Sequence, residues 1–268
     1  MSQVSLIDEY IKSVRYIEKL KLNGKIDLTT NRLNSPTMFL RLGCYIQQHV
    51  KEKEAILPSD ETSRYVLSKI LDDKPHISQR FTYFSGAMLP ADIEKGKEIL
   101  TQISSVHDEG KEYGGKTAFN YLLGEILDNV YTHSKFEHAW AVVFRDEVAK
   151  EVEICFLDDG VTIPGNFAKH NVSFTDEANA VRKAATGTST KNDVERGYGL
   201  PTTLKIVTKG LGGEALILSR AGGLGINGEK STLYRLGGPY SLSGTIVSFR
   251  FPFTIKTLNI YDYVESKG

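Results

Sequence analysis

The sequence predicts an α+β protein, with a two-layer α/β sandwich over residues 109–268 preceded by a small N-terminal α/β unit over residues 1–108. Three observations carry that expectation. In the second half, β-branched and aromatic residues gather into runs near 138–146, 151–157, 214–220, 231–236 and 244–251, as in buried strands. Other stretches, at 116–133, 175–186 and 199–210, repeat apolar residues at helical spacing. A polar, glycine-rich segment, His107-Asp-Glu-Gly-Lys-Glu-Tyr-Gly-Gly115, divides the two parts as a linker does. Helices on one face of a mostly antiparallel sheet make such a sandwich, and its other face needs a cover that the N-terminal unit can partly supply.

From the start of the chain, Leu6, Ile7, Tyr10, Ile11, Val14, Ile17 and Leu20 alternate with charges at helical spacing, which predicts an amphipathic helix over 5–22. Residues 25–29 are a short strand candidate. Ser35-Pro-Thr then opens a helix through Val50, because proline suits a first helical turn. Further helices are expected at 61–71 and 91–106, with the aromatic stretch Arg80-Phe-Thr-Tyr-Phe84 between them as a strand.

Composition bounds the function. The 268 residues carry 33 basic and 33 acidic side chains, so the global charge gives no reason to expect a nucleic acid or an anionic membrane as partner. Cys44 and Cys155 sit in apolar segments without metal-ligand spacing, as core thiols do. The N-terminus lacks a basic start, and no stretch approaches the ~18 apolar residues of a membrane span. A cytoplasmic protein is the expectation.

The helical stretch at 116–133 contains Glu125-Ile-Leu-Asp-Asn-Val-Tyr-Thr-His133. Residues four apart stack on one helix face, so Glu125, Asn129 and His133 form a row. Leu122, Leu123, Ile126, Leu127 and Val130 take the remaining arc, so the polar row looks into a cleft while the apolar arc docks on the sheet. The run Glu151-Val-Glu-Ile-Cys-Phe-Leu delivers Asp158 to a loop, Asp158-Asp-Gly-Val-Thr-Ile-Pro-Gly165. Asp159 suits a turn cap. A third segment, Arg196-Gly-Tyr-Gly-Leu200, places glycines just ahead of a helix, where backbone N–H groups can approach an anion. An acid-amide helix, an aspartate loop and a glycine-led helix, in that order, suit an ATP site.

Residues 115–253 resemble the GHKL superfamily (gyrase, heat-shock chaperone, histidine kinase, mismatch-repair ATPase), whose nucleotide-binding core is the Bergerat fold. Its N box resembles Glu125-x-x-x-Asn129, its first glycine box Asp158-x-Gly160 and its second Gly197-x-Gly199-Leu200. The later segments Gly212–Gly222 and Gly244–Pro252 match as well.

The resemblance implies ATP and Mg²⁺ as cofactors, with Asn129 offering its carbonyl oxygen to the ion. It implies Glu125 as the catalytic group that polarises water or a substrate hydroxyl. Asp158 then accepts the adenine amino group, supported by Thr245, and Gly160 leaves room for the base. The second glycine of the first box is here Thr162, a departure that bears on the loop conformation. Gly197, Tyr198, Gly199 and Leu200 border the phosphates, with Lys191 and Arg196 as charge partners on a lid.

Three functions compete on this reading: a slow ATPase driving a conformational or interaction switch, a serine/threonine kinase resembling the anti-sigma switch kinases, and a nucleotide-gated module without turnover. A sensor histidine kinase fits poorly, since His107 lies in a glycine-rich linker with no long heptad pair before it. The pieces Ile26-Asp-Leu-Thr-Thr30 and Asn34-Ser-Pro-Thr-Met-Phe-Leu40 faintly resemble STAS domains, the partners of switch kinases, but lack their Ser-x-Gly. A protein partner, STAS-like in the kinase case, and a nucleotide-dependent homodimer are the associations this implies.

Overall fold

Period-two alternation along the central strands produces two apolar faces, and both are covered. In the strand Ala139–Asp146 (β3), Ala139, Ala141 and Val143 join one core while Trp140, Val142 and Phe144 join another. The strand Glu151–Asp158 (β4) divides the same way, with Val152, Ile154 and Phe156 on the first side and Cys155 and Leu157 on the second. Such a sheet has helices on both faces rather than one.

The computed structural model describes residues 4–23, 28, 35–49, 61–71, 77–81, 84–188 and 199–264. Its strands form one antiparallel sheet of eight, in the order β1-β2-β3-β4-β8-β5-β6-β7. Here β1 is Ile77–Phe81, β2 Phe84–Met88, β5 Glu214–Arg220, β6 Gly222–Asn227, β7 Lys230–Arg235 and β8 Leu242–Pro252. The stretch 80–84 is therefore not one strand: it holds the end of β1 and the start of β2. Strand β6 lacks the expected apolar density because it carries Gly222, Gly223 and Gly225. Its glycines have a packing reason, since a Cβ on Gly222 would stand 2.2 Å from the Glu177 carbonyl oxygen of the overlying helix.

The first face carries α4 (Ile93–Val106), α5 (Lys116–Asn129), α6 (Ile163–Lys169), α7 (Glu177–Ala185) and α8 (Gly199–Lys205). The second carries α1 (Leu6–Asn23), α2 (Pro36–His49) and α3 (Glu61–Ile70). Tyr10, Val14 and Ile17 of α1 and Phe39 and Ile46 of α2 pack in one cluster with Trp140, Leu157, Leu216 and Leu218. Burial of each such side chain stabilises the fold by roughly 1.5–3 kcal/mol. The N-terminal residues thus add a third layer, and β2 pairs directly with β3, so the sheet runs continuously across the boundary expected at residues 108 and 109. The strand expected at 25–29 lies outside the described residues except for buried Leu28. No helix among the described residues is long and apolar enough to cross a membrane.

Polar groups also pin the third layer down. The N-terminus of α2 meets Glu153 of β4, which accepts from Ser35 Oγ (2.9 Å), Thr37 N (2.8 Å) and Thr37 Oγ1 (2.7 Å). Arg250 of β8 donates to the same carboxylate through Nη2 (2.8 Å) and Nε (3.2 Å), and through Nη1 to Glu214 (3.3 Å). A buried carboxylate saturated in this way is satisfied, as buried charge requires.

Candidate functional site

Helix α5 turns Leu122, Leu123, Ile126 and Leu127 into the core and leaves Glu125 and Asn129 on the wall of a cleft. The expected helix over 116–133 ends its α-helical part at Asn129 and continues as a π turn, Val130–Ser134, before Lys135 closes it in the left-handed conformation (φ 49°). The wider π turn keeps a four-residue step nearly in register, so His133 stays in the row and also lines the cleft. Its Nδ1 lies 3.4 Å from the Asn166 Nδ2 of α6. One turn before Glu125, the Tyr121 hydroxyl sits beside Thr202 of α8 and Glu125. Burial and then the Glu125 charge push this phenol up to about 12.

Strand β4 ends at Asp158, which is 5% exposed and lines the cleft. Its Oδ1 accepts the Gly160 N–H at 3.0 Å. Burial pushes the carboxyl from its usual 3.8 up to about 7, opposed by the Gly160 hydrogen bond and reinforced by the charge of Asp159. Thr245 of β8 pairs directly opposite Asp158 and also borders the cleft. Its Oγ1 lies 2.9 Å from Ser219 Oγ, which accepts the Ile163 N–H at 2.8 Å, so one hydroxyl pair joins β5, β8 and the start of α6. Gly244 is needed beside it: its φ is +135° and a Cβ there would stand 1.9 Å from the Asp158 carbonyl oxygen.

The loop after Asp158 has separate tasks for each residue. Asp159 caps a turn, accepting from the N–H groups of Glu137 and His138 (both 2.9 Å) and binding His138 Nδ1 at 2.8 Å. Gly160 does not line the cleft. Instead its bare Cα lets the loop close on Ser134, whose carbonyl oxygen accepts from Val161 N and would lie 2.1 Å from a Cβ at 160. This packing against Ser134 is a role for the glycine that the sequence reading did not assign. Thr162, where the family pattern has glycine, is the N-cap of α6 and accepts the Gly165 N–H at 3.1 Å.

Gly199 and Leu200 open α8 and line the opposite wall, where a Cβ on Gly199 would stand 2.0 Å from Glu125 Oε2. Lys191, Arg196, Gly197 and Tyr198 lie outside the described residues. Eight of the expected residues therefore meet in one cleft: Glu125, Asn129, His133, Asp158, Thr162, Gly199, Leu200 and Thr245. Sequence reasoning missed the contribution of α6, which adds Ile163, Asn166 and Phe167 to the lining. The signal was legible: Thr162 followed by Pro164 is an N-cap with proline in the first turn.

The cleft encloses about 960 Å³, its open mouth included. Glu125 and Asp158 are the carboxylates on its described wall, and no lysine or arginine lines it among the described residues. Nor do three His, Cys, Asp or Glu side chains converge there as metal ligands among the described residues. The arrangement offers a buried carboxylate at one end, an amide and a second carboxylate along a helix, and apolar walls between them. No family model, curated protein or solved structure matches this chain.

Proposed function

We propose that the chain binds ATP with Mg²⁺ in this cleft and hydrolyses it slowly, so that nucleotide binding and turnover drive a conformational or interaction switch. The observation that carries the reading is that Glu125, Asn129, Asp158, Gly199 and Thr245, from three separated stretches and a closing strand, line one cleft.

Each residue has a role that its chemistry allows. Asp158 accepts from the exocyclic amine of the base, in an enclosed setting where an unmatched base would leave a buried carboxylate unpaired. The walls Val161, Ile163 and Val247 give the ring apolar surface. Asn129 fits a divalent ion through its neutral carbonyl oxygen, alongside phosphate oxygens and waters. When bound, the ion offsets the phosphate charge, which the two lining carboxylates do not. Glu125, one turn away, orients and deprotonates the attacking water.

Titration calorimetry with MgATP tests the reading. Saturable binding that is lost in Asp158→Asn supports it, and an absence of heat with wild-type protein and Mg²⁺ present refutes it. Labelled ATP then identifies the acceptor: released phosphate indicates hydrolysis, and label on serine or threonine of a protein partner indicates a kinase.

A further inference from the structure

Among the described residues the sheet ends at β7, which has β6 on one side and no strand on the other. Which of its backbone groups point outward follows from that pairing. Lys230 stands opposite Asn227 across the hairpin, and the Leu236 N–H donates to the Ala221 carbonyl oxygen at 2.7 Å. Residues that bond a given neighbour alternate along an antiparallel ladder. Lys230, Thr232, Tyr234 and Leu236 therefore face β6, whereas Ser231, Leu233 and Arg235 turn their N–H and C=O groups outward.

Side chains alternate as well. Leu233 packs against the core beneath α7 and Tyr234 against the core beneath α1, so the edge is backed on both faces. Each is half-buried, which leaves apolar surface for a further strand to cover. The edge is also fixed in shape. Arg235 Nε and Nη2 meet Asp176, the N-cap of α7, at 2.9 Å, and the Tyr10 hydroxyl of α1 donates to the Tyr240 carbonyl oxygen at 2.8 Å. A strand held in this way needs little further ordering to pair.

The residues of this edge are complementary to themselves. An added antiparallel strand must set its own outward-facing residues opposite Ser231, Leu233 and Arg235. A two-fold axis through Thr232 does so: Ser231 meets Leu233 of the other copy, Thr232 meets its own equivalent, Lys230 meets Tyr234, and Glu229 of the turn comes beside Arg235. Thr–Thr and opposite-charge pairs are favourable cross-strand neighbours, and an ammonium against a phenol ring adds to them. The five donors of a guanidinium serve Asp176 and a second carboxylate together. We propose that two copies of this chain join edge to edge along β7 about that axis, forming one continuous antiparallel sheet. The described wall of the nucleotide cleft contains no β7 residue, so the inference stands apart from the nucleotide reading.

Disulfide trapping in the full-length protein tests both the pairing and its register. Directly opposed residues that do not bond each other stand about 4.5 Å apart at Cα, within reach of a disulfide, so Thr232→Cys should give a covalent dimer with oxidised glutathione. Ser231→Cys, which faces Leu233 and not its own equivalent, should not. Cys44 and Cys155 are buried and supply little background. Sedimentation should show a concentration-dependent dimer for the wild type. Glu229→Lys, at an exposed turn, should raise the dissociation constant by about tenfold or more, because it sets a like charge against Arg235. Ser231→Pro, which removes an outward N–H and leaves the bonds to β6, should do the same. Glu229→Lys decides the matter should Ser231→Pro not fold. A wild type that stays monomeric at the highest concentration reached, trapping at Ser231 as readily as at Thr232, or a dimer undiminished in Glu229→Lys overturns the proposal.

Discussion

The Glu125 carboxylate occupies the space that a side chain at residue 199 would fill, its Oε2 lying 2.0 Å from the ideal Cβ position of Gly199. Two helices distant in sequence therefore meet at the group assigned to catalysis. The obstructing atom is the end of a flexible side chain, so Gly199→Ala should move the carboxylate rather than unfold the protein. We expect a stability loss of about 1 kcal/mol or less, together with a fall in ATP hydrolysis comparable to that of Glu125→Ala. Parallel denaturation and phosphate-release assays check both parts.

Glu125→Ala itself should leave MgATP affinity close to wild type while lowering turnover by about 100-fold or more, the usual contribution of a general base. Calorimetry gives the first quantity and a phosphate assay the second. Unchanged turnover would remove Glu125 from the role given to it.

Asp158 predicts a pH dependence with a definite sign. Its carboxyl is pushed up to about 7 by burial, whereas an exposed aspartate titrates near 3.8. Between those values the native state holds a proton that the unfolded chain has released, so this group's contribution to stability falls as pH rises from about 4 to about 7. Asp158→Asn should flatten that slope. ATP selects the ionised form by donating to it, so affinity should climb on going from pH 6 to 8, by at most about tenfold per unit below the midpoint. Calorimetry at several pH values would show a flat profile if the base does not meet this carboxylate.

Gly160→Ala should destabilise the protein by about 1–3 kcal/mol, the range for overpacking. The clash is with backbone, since a Cβ would stand 2.1 Å from the Ser134 carbonyl oxygen and 2.9 Å from Phe136 N. Urea denaturation reports it. A purely ligand-contacting glycine would instead lower affinity at constant stability.

Arg250→Leu should cost about 3–5 kcal/mol, because it leaves buried Glu153 and half-buried Glu214 without their cation. The same variant should loosen α1, whose approach the guanidinium holds through the Val4 carbonyl oxygen. Hydrogen exchange of the α1 amides measures that loosening.

Much of the architecture was legible in the amino-acid order because it depends on near neighbours. The helices at 6–23, 36–49, 93–106 and 177–185, and the strands at 139–146, 151–158 and 214–220, follow apolar periodicities that need no knowledge of their partners. The row of Glu125, Asn129 and His133 is likewise a matter of helical spacing, and Asp158 at a strand end a matter of where β-branched residues stop. Strand β6 and helix α6 show no apolar period. The glycines of β6 are chosen by the helix above them, and α6 is only seven residues long, too short to display a period.

What the chain order could not express is anything that depends on which distant surfaces touch. That Asp158 stands opposite Thr245, that Gly160 packs against Ser134, that Gly199 yields its space to Glu125, and that residues 6–23 and 36–49 cover the far face of the sheet were all decided by tertiary packing. Periodicity reports how a residue faces its own helix or strand, whereas burial and hydrogen-bond partners are set by elements that may be 200 positions away, and only the folded chain brings those together.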